Sequence, residues 1–298
     1  MKYHLPAGST AADGYDTVID PGTDGWSHTG LRILTLAPGA SRRVETGGCE
    51  WIVLPLGGGG ATLRVEGEDA AYDLDGRPDV WSGPSDLLYV PRDSAFTVTS
   101  PSGGTLALAY APARRAFPVC RVAASDVPVE LRGAGACSRQ VHNFGTPGTL
   151  DADSIIACEV YTPAGNWSSY PPHKHDEDRP GDESELEEIY YFRLRVAPDS
   201  QAPPDADPIG YQRVYGTDER PIDVLAEVRT DDVVLVPHGW HGPAMAAAGY
   251  DMYYLNVMGG PGEQRAWLIC DDPAHGWVRR TWESQPVDPR LPLNAPRG

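Results

Sequence analysis

The sequence predicts an all-β protein. Short apolar runs recur along the chain with turn-forming residues between them, a pattern typical of β-sandwiches and β-barrels. Long stretches with helical periodicity are missing, and the 33 glycines and 29 prolines are residues that interrupt helices. The predicted strands lie at 31–36, 51–56, 61–65, 87–90, 105–110, 154–161, 189–194, 233–236 and 252–258.

A faint internal repeat predicts two barrels of the same kind. In the first half, CEWIVLPL (49–56) is followed by DLLYVPRDSA (86–95). In the second half, EEIYYFRL (187–194) is followed by DVVLVPHGWH (232–241). We therefore expect the second half of the chain to repeat the barrel of the first half.

The joint between the barrels is predicted in the turn-rich segment 115–150. Residues 1–125 then form the first barrel, and residues 126–298 form the second barrel and a C-terminal arm. The proline-rich tail after Trp282 is expected to pack on the body of the protein or on a neighbouring subunit. The acidic segment 176–187 is expected to be a mobile lid or a solvated insertion.

The clearest chemical motif lies in the second copy. His173 and His175 are separated by one residue, so on a strand both side chains point to the same face. Glu188 opens a run of strand-forming residues, and His241 follows the apolar run 233–236. Three imidazoles and one carboxylate suit Zn, Mn, Fe, Ni or Co, and this set on strands is typical of a cupin metal site. We expect it to leave one or two positions open for water or substrate.

Two of these four residues have a rival nearby. Glu187 and Glu188 are adjacent and face opposite ways on a strand, so alternation alone does not choose between them. His238 competes with His241, although it follows Pro237, where a turn should begin.

The first copy lacks the histidines. Aligning the two copies sets Glu50 opposite Glu188 and Ala95 opposite His241, and no histidine occurs between residues 29 and 141. We therefore expect metal only in the second barrel, and a first barrel kept for structure or for the domain interface.

Composition limits the partners of this chain. The 42 acidic and 24 basic residues give a net charge of −18, which argues against nucleic acid and anionic membrane surfaces as ligands. A small anionic ligand remains compatible, because a few arginines reverse the field within one pocket. The N-terminus lacks the apolar core of a signal peptide, and no apolar run approaches the ~18 residues of a membrane span.

From these features we expect a soluble, cytoplasmic protein. The five cysteines form no C-x-x-C pair, so free thiols are expected. Exposed sheet edges and the tail make a homo-oligomer the expected assembly.

Three arginines are candidate clamps for a substrate carboxylate. Arg139, Arg193 and Arg213 lie near predicted strands of the second half, and guanidinium matches the geometry of a carboxylate. The alternative for each is an ordinary surface arginine.

Three further residues are candidates for the site. His142 in RQVHNF could carry a proton near neutral pH, or it could be a hydrogen-bonded strand histidine. Tyr254 and Asn256 share one face of an aromatic strand, where they line either a cavity or the core.

With these residues identified, the chain resembles the 5-deoxy-glucuronate isomerase family of bacterial myo-inositol catabolism. The first half matches by layout, and the second half matches by motifs that are specific in combination. Those motifs are RQVHN (139–143), PPHKHD (171–176), EEIYYFRL (187–194), QRVY (212–215), DVVLVPHGWH (232–241) and GYDMYYLNVMGGP (249–261).

The spacing within the site bears on which branch the chain resembles. The gap from His175 to Glu188 is longer than in most cupins, but this family carries such an insertion. A sister family, the uronate ketol-isomerase of pectin breakdown, shares the site and usually has a short gap.

The resemblance implies a bicupin with one divalent metal ion, most often Zn or Mn, in the C-terminal barrel. It implies His173, His175, Glu188 and His241 as ligands, since in the family the last histidine follows an aromatic residue, here Trp240.

The resemblance also implies an aldose–ketose isomerisation of 5-deoxy-D-glucuronate to 5-dehydro-2-deoxy-D-gluconate. Candidates for the base are a metal-bound hydroxide, His142 and Tyr254, and a hydride shift is the rival route. Arg213 or Arg193 is expected to bind the far carboxylate. A cupin dioxygenase and a non-enzymatic carbohydrate-binding or storage cupin are the other function classes.

Overall fold

The computed structural model describes residues 2–22, 25–198 and 200–294. It confirms the predicted all-β architecture. Within these residues the regular structure consists of 25 strands, a single α-helical turn and four 3-10 turns. The helical turn is α1 (Val278–Thr281), and the 3-10 turns are Val80–Ser82, Ala124–Asp126, Gly135–Cys137 and Trp282–Ser284. In this described part of the chain, no helix is long and apolar enough to cross a bilayer.

The strands follow the predicted apolar runs, with additional short strands between them. Those of the first half are β1 (His4–Leu5), β2 (Thr17–Ile19), β3 (Gly30–Leu36), β4 (Ser41–Glu45), β5 (Cys49–Gly57), β6 (Gly59–Val65), β7 (Tyr72–Arg77), β8 (Leu87–Val90), β9 (Ala95–Thr99), β10 (Gly104–Pro112) and β11 (Cys120–Val122). Those of the second half are β12 (Val129–Arg132), β13 (Arg139–Gly145), β14 (Ile156–Thr162), β15 (Trp167–Ser168), β16 (His173–Lys174), β17 (Asp176–Arg179), β18 (Glu183–Glu185), β19 (Glu187–Val196), β20 (Gly210–Tyr215), β21 (Asp223–Val228), β22 (Val233–Val236), β23 (Trp240–Ala246), β24 (Tyr250–Gly259) and β25 (Cys270–Asp271).

Each half of the chain builds a pair of antiparallel sheets. The first half forms a sheet of order β11-β8-β5-β10-β3-β2 and a smaller one of order β4-β9-β6-β7. The second half forms β1-β22-β19-β24-β14-β13-β12 and β21-β20-β23-β16-β25, with β15 beside β23. The remaining strands, β17 and β18, pair as a separate hairpin.

Side-chain alternation divides the interior into three cores. Along β19, Tyr190 and Phe192 point into the space between the two sheets of the second half. Ile189 and Tyr191 point the opposite way, into a core shared with the large sheet of the first half. Trp51 belongs to the third core, which fills the first half. Because side chains alternate along a strand, each residue of a large sheet points either into the core of its own half or into the core shared by the two halves.

Both ends of the described chain pack against the second half. His4 in β1 pairs with Val234 in β22, so the first residues of the chain extend the sheet of the second half. At the other end, Leu291 and Leu293 lie in the shared core, and the Leu293 N–H donates to Gln140 Oε1. The tail therefore packs on the body of its own chain, while the domain boundary at residue 125 stays a prediction.

Candidate metal centre and its cavity

Three histidines meet at one end of the second pair of sheets. His173 on β16 lies directly opposite His241 on β23, and His175 follows β16 at the next position on the same face. Their candidate ligand nitrogens all lie within 4.8 Å of one another. The Glu188 Oε2 lies 3.1 Å from His175 Nε2 and 2.9 Å from His241 Nε2. All four side chains are buried.

Backbone carbonyls orient the three imidazoles. Each Nδ1 lies within hydrogen-bond distance of a carbonyl oxygen, which favours a proton on Nδ1 and leaves Nε2 as the free donor atom. The pairs are His173 with Pro171 (3.3 Å), His175 with Leu186 (3.1 Å) and His241 with Gly239 (2.9 Å). This arrangement fixes the rings in the tautomer that metal binding requires.

The strand faces distinguish the rival residues. Glu188 shares the inner face of β19 with Tyr190, whereas Glu187 faces the first half and accepts hydrogen bonds from the Ser27 and His28 N–H groups. His238 lies outside the histidine cluster and lines a different cavity. The geometry therefore brings Glu188 and His241 together and leaves their rivals outside.

The pKa shifts of Glu188 and His173 favour the charge states that bind a cation, whereas the hydrogen bond and charge of Glu188 outweigh burial and raise the pKa of His175, so an ion would displace a proton there. Burial alone would raise the pKa of Glu188, but hydrogen bonding with His175 and His241 in their protonated form, and their charge, outweigh it and hold this pKa at about 2. Burial, together with the neighbouring His241 and His175, lowers the pKa of His173 well below its usual value. An ionised carboxylate and a neutral imidazole are the forms that coordinate metals. The residues present thus fit a divalent metal ion.

Gly242 permits the close packing behind the cluster. Its φ is +105°, and a Cβ atom there would lie 2.2 Å from the Ser169 carbonyl oxygen and 2.9 Å from the His173 ring. Any side chain would therefore collide with a candidate ligand, which explains a glycine directly after His241.

The acidic segment beside the site is exposed to solvent at its tip, as expected for a solvated insertion, but its base is anchored to the body of the protein. Lys174 Nζ donates to Asp176 (2.6 Å) and Glu183 (2.8 Å), so β17 and β18 are tied to the strand that carries the histidines. The second oxygen of Asp176 accepts the Gly239 N–H at 2.8 Å. Because the Gly239 carbonyl orients His241, this anchor also supports the cluster.

A cavity of about 240 Å³ opens next to His173 and Glu188. Three arginines line it, which reverses locally the negative charge of the whole chain. Its neutral polar lining residues are Ser169, Tyr190, Tyr254 and Asn256. The cavity therefore combines the candidate metal ligands with groups suited to an anion that carries several hydroxyls.

The three arginines differ in their partners. Arg132 binds Glu130 with two hydrogen bonds, and Arg279 is paired in the same way with Asp271. Arg139 has no carboxylate partner among the described residues. Its Nη1 donates only to the carbonyl oxygens of Cys137 (3.1 Å) and Tyr170 (3.4 Å).

Arg139 is also deeply buried, with 5% of its surface exposed. Burial and the nearby Arg132 and Arg279 lower its pKa to about 10, so the guanidinium remains charged at neutral pH. A buried cation without a counter-ion is costly, and such a group is a natural site for a ligand carboxylate.

Of the candidate residues proposed from sequence, Arg139, Tyr254 and Asn256 line the cavity. His142 does not, because it alternates with Arg139 and Val141 on β13 and points into the opposite core. There its Nδ1 lies 3.2 Å from Glu159 Oε2, and its Nε2 lies 2.7 Å from the Gln140 amide nitrogen.

Arg193 and Arg213 are likewise directed away from the cavity. Arg193 binds the Tyr191 hydroxyl and Asp231 on the side of the first half. Arg213 lies on the outer face of β20, where it binds Asp223 and the Val224 carbonyl. Both guanidinium groups are occupied by groups of the protein itself.

Sequence reasoning missed several cavity residues. Arg132, Arg279 and Trp267 come from an edge strand and from the segment after β24, and no local pattern links these segments to the histidines. Tyr190 could have been found, because it lies two residues beyond Glu188 and must share its face.

Comparison with known proteins gives a consistent result. The model of the KduI/IolB family matches residues 4–278. The chain is 39% identical over 276 residues to a 5-deoxy-glucuronate isomerase of Geobacillus kaustophilus, covering 92% of this chain and 94% of that protein. It is 38% identical over 253 residues to the 5-deoxy-glucuronate isomerase of Bacillus subtilis strain 168, covering 83% and 86% of the two chains.

Solved structures agree on the fold. An IolB-like protein from Salmonella typhimurium superposes with a TM-score of 0.82 at 34% identity, covering 93% of this chain and 98% of that one. An oxalate decarboxylase from Lactobacillus farciminis has a TM-score of 0.60 at 11% identity over 90% and 88% of the chains, a likeness of fold alone. The architecture is therefore of the cupin type, and the chain belongs to the KduI/IolB family.

Proposed function

We propose that this protein is a metal-dependent aldose–ketose isomerase that converts 5-deoxy-D-glucuronate to 5-dehydro-2-deoxy-D-gluconate in myo-inositol degradation. The activity named for its relatives supports this proposal. The observation that carries it is one cavity beside the cluster of three histidines, lined by His173, Glu188 and a buried arginine that has no carboxylate partner among the described residues. A sugar acid has the matching groups, since it offers carbonyl and hydroxyl oxygens at one end and a carboxylate at the other.

In this proposal, His173, His175, Glu188 and His241 hold one divalent ion, Zn²⁺ or Mn²⁺. When bound, such an ion supplies Lewis-acid polarisation of a carbonyl oxygen. The ligand set of three nitrogens and one oxygen suits either metal.

Arg139 is the proposed clamp for the substrate carboxylate. Its burial strengthens a charge-assisted hydrogen bond, and no carboxylate of the described part of the chain pairs with it, which leaves it available to an incoming one. The paired Arg132 and Arg279 add positive potential at the same wall. The other two candidates, Arg193 and Arg213, have their own acidic partners elsewhere.

Tyr254 is better suited than His142 to contact the substrate, because it lines the cavity. Its hydroxyl lies 2.8 Å from Ser169 Oγ and 3.0 Å from Ser168 Oγ, and Ser168 in turn accepts from Thr162 at 2.7 Å. Burial raises the pKa of Tyr254, so at neutral pH it is a protonated donor that holds this hydroxyl chain in place.

The test is proton NMR of 5-deoxy-D-glucuronate with metal-loaded protein, run beside a His175→Ala variant. Conversion of the aldehyde signals to those of a ketose, lost in the variant, would support both the reaction and the site. If folded, metal-loaded protein gives no conversion, the proposal fails. The uronate ketol-isomerase and dioxygenase hypotheses would then take precedence, and oxygen uptake would separate them.

A further inference from the structure

Tyr190 occupies a central position in the wall of the cavity. It lies on β19 two residues beyond Glu188 and on the same inner face. None of its surface is exposed to solvent, yet it lines the cavity beside His173 and Glu188. Its ring centroid lies 6.3 Å from that of His241 and 5.0 Å from that of Tyr254.

The hydroxyl of Tyr190 makes no hydrogen bond within the described residues. Ser169 lies close to it without meeting hydrogen-bond geometry. The two other hydroxyl-bearing residues of this lining, Ser169 and Tyr254, are bonded to each other. An unpaired buried hydroxyl costs about 1–3 kcal/mol, so a native protein retains one where a ligand or water completes it.

The phenol of Tyr190 is a hydrogen-bond donor at neutral pH, because the ordinary pKa of a tyrosine is about 10. The natural partner is therefore an oxygen that carries or develops negative charge.

We propose that Tyr190 is a catalytic residue whose hydroxyl donates a hydrogen bond to the substrate oxygen lying nearest the histidine cluster. This inference rests on the proposed isomerase function. During the isomerisation a hydrogen moves from C2 to C1 and a proton moves from O2 to O1, so the composition of the sugar is unchanged. When the C2–H bond breaks as a proton transfer, its electrons move toward the carbonyl oxygen. Tyr190 stabilises the charge on that oxygen and keeps its own proton throughout.

The experiment compares Tyr190→Phe with Tyr191→Phe in the metal-loaded protein. Both changes remove one phenolic hydroxyl from adjacent positions of β19, but the Tyr191 hydroxyl faces the other core and binds Asp231 and Arg193. The measurements are kcat and KM for 5-deoxy-D-glucuronate, the metal content per chain and the melting temperature.

For Tyr190→Phe we expect kcat to fall about 10²–10³-fold, as when one donor to a developing oxyanion is removed, with KM changed by less than about threefold. Metal content and melting temperature should stay at the parental values, because no internal hydrogen bond is lost. Tyr191→Phe should show the reverse, with a lower melting temperature and a parental kcat.

A parental kcat in Tyr190→Phe would overturn the assignment while leaving the isomerase proposal intact. A fall in kcat that merely follows lost metal or lost folding would also overturn it, since the hydroxyl would then be structural. An inactive parent protein would overturn the isomerase proposal and this inference with it.

Discussion

The two halves of this protein share a strand register but fill their interiors differently. Trp51 pairs with Val90 in the first half as Glu188 pairs with Val236 in the second, so Trp51 is the counterpart of Glu188. Where the second half places a carboxylate among histidines, the first stacks Trp51 on Tyr110 with 4.0 Å between ring centroids.

The register also corrects the alignment made from sequence. The sequence alignment set Glu50 opposite Glu188, but the strand register sets it opposite Glu187. These two carboxylates have the same task, because each binds backbone N–H groups of the opposite half. Glu50 accepts from residues 153–155 at 2.6–2.8 Å, and Glu187 accepts from residues 27 and 28 at 2.7–3.1 Å. A shift of one residue exchanges the faces of a strand, so it separates an interface carboxylate from a candidate metal ligand.

The same arrangement of strands can therefore enclose either an apolar packed interior or a polar site. The first half is packed with aromatic and aliphatic side chains, which stabilises it. Among the described residues, the second groups a histidine–carboxylate cluster, an arginine without a carboxylate partner and the unpaired Tyr190 hydroxyl around one cavity, and each of these costs stability unless a ligand satisfies it.

The largest expected effect is the loss of bound metal when the histidine cluster of the second half is changed. His241→Ala removes one of the four proposed ligands, so bound metal should fall from one ion per chain to near none, and turnover should fall by about a thousandfold or more. His238→Ala, three residues earlier and outside the cluster, is the matched control and should retain both. Metal analysis of the purified variants checks this, and metal retained at full stoichiometry by His241→Ala would contradict the assigned site.

A second expectation concerns the packed interior of the first half. Trp51→Ala should lower the free energy of unfolding by about 3–5 kcal/mol, because it removes a buried ring stacked on Tyr110. The folded variant should still bind one metal ion and keep its kcat. Leu225→Ala, at an exposed position, should change stability by less than about 0.5 kcal/mol. Denaturant titration measures both, and loss of metal by folded Trp51→Ala would show that the halves are not divided in this way.

The interface between the halves should be sensitive to acid. Glu159 is buried there with Arg77, His142 and the Tyr253 hydroxyl. Burial raises its pKa, but the charge of Arg77 and the hydrogen bond from His142 outweigh this and hold the pKa at about 2. A carboxyl whose pKa is lowered by folding stabilises the native state above its ordinary pKa of about 4.3 and loses that contribution as pH falls toward 2.

We therefore expect this one group to contribute about 3 kcal/mol at pH 7 that disappears between roughly pH 5 and pH 2. Glu159→Gln should be less stable at neutral pH and should lack this part of the acid dependence. Urea unfolding of both proteins across that pH range isolates the difference, and parallel curves would refute the role given to the carboxylate.

A smaller expected effect tests the cavity arginine. Arg139→Met should raise KM for 5-deoxy-D-glucuronate about 10- to 100-fold, since a charge-assisted hydrogen bond is worth about 1.5–3 kcal/mol. Arg193→Met and Arg213→Met, which lose only contacts outside the cavity, should leave KM at the parental value. Steady-state kinetics decide between them, and the opposite ranking would return the clamp to Arg193 or Arg213.

Local patterns in the sequence were sufficient to predict the main strands and to identify the histidines of the cluster. Alternation predicted that His173 and His175 share a face, and the apolar run before His241 is β22. The same rule could not choose between Glu187 and Glu188, because both faces of β19 are buried and neither is exposed to solvent. Alternation also could not choose between the two interpretations of His142, which is fully buried on the strand face that points away from the cavity.

The rest of the cavity depends on long-range packing. Arg279 binds Asp271 on β25, and β25 pairs with β16, the strand of His173. This pairing brings Arg279 to the site. Arg132 reaches it from the edge strand β12. No periodicity within either segment encodes these neighbours, so only the assembled sheets reveal which arginine lacks a partner.

We infer that the second half of the chain alone carries the proposed metal-dependent isomerase site. The most direct test is to titrate metal-free protein with Zn²⁺ or Mn²⁺ while following conversion of 5-deoxy-D-glucuronate by NMR. One site per chain predicts a rate that rises in proportion to added metal and reaches a plateau at one equivalent per chain. Full activity without metal, or a plateau only at two equivalents, would contradict it.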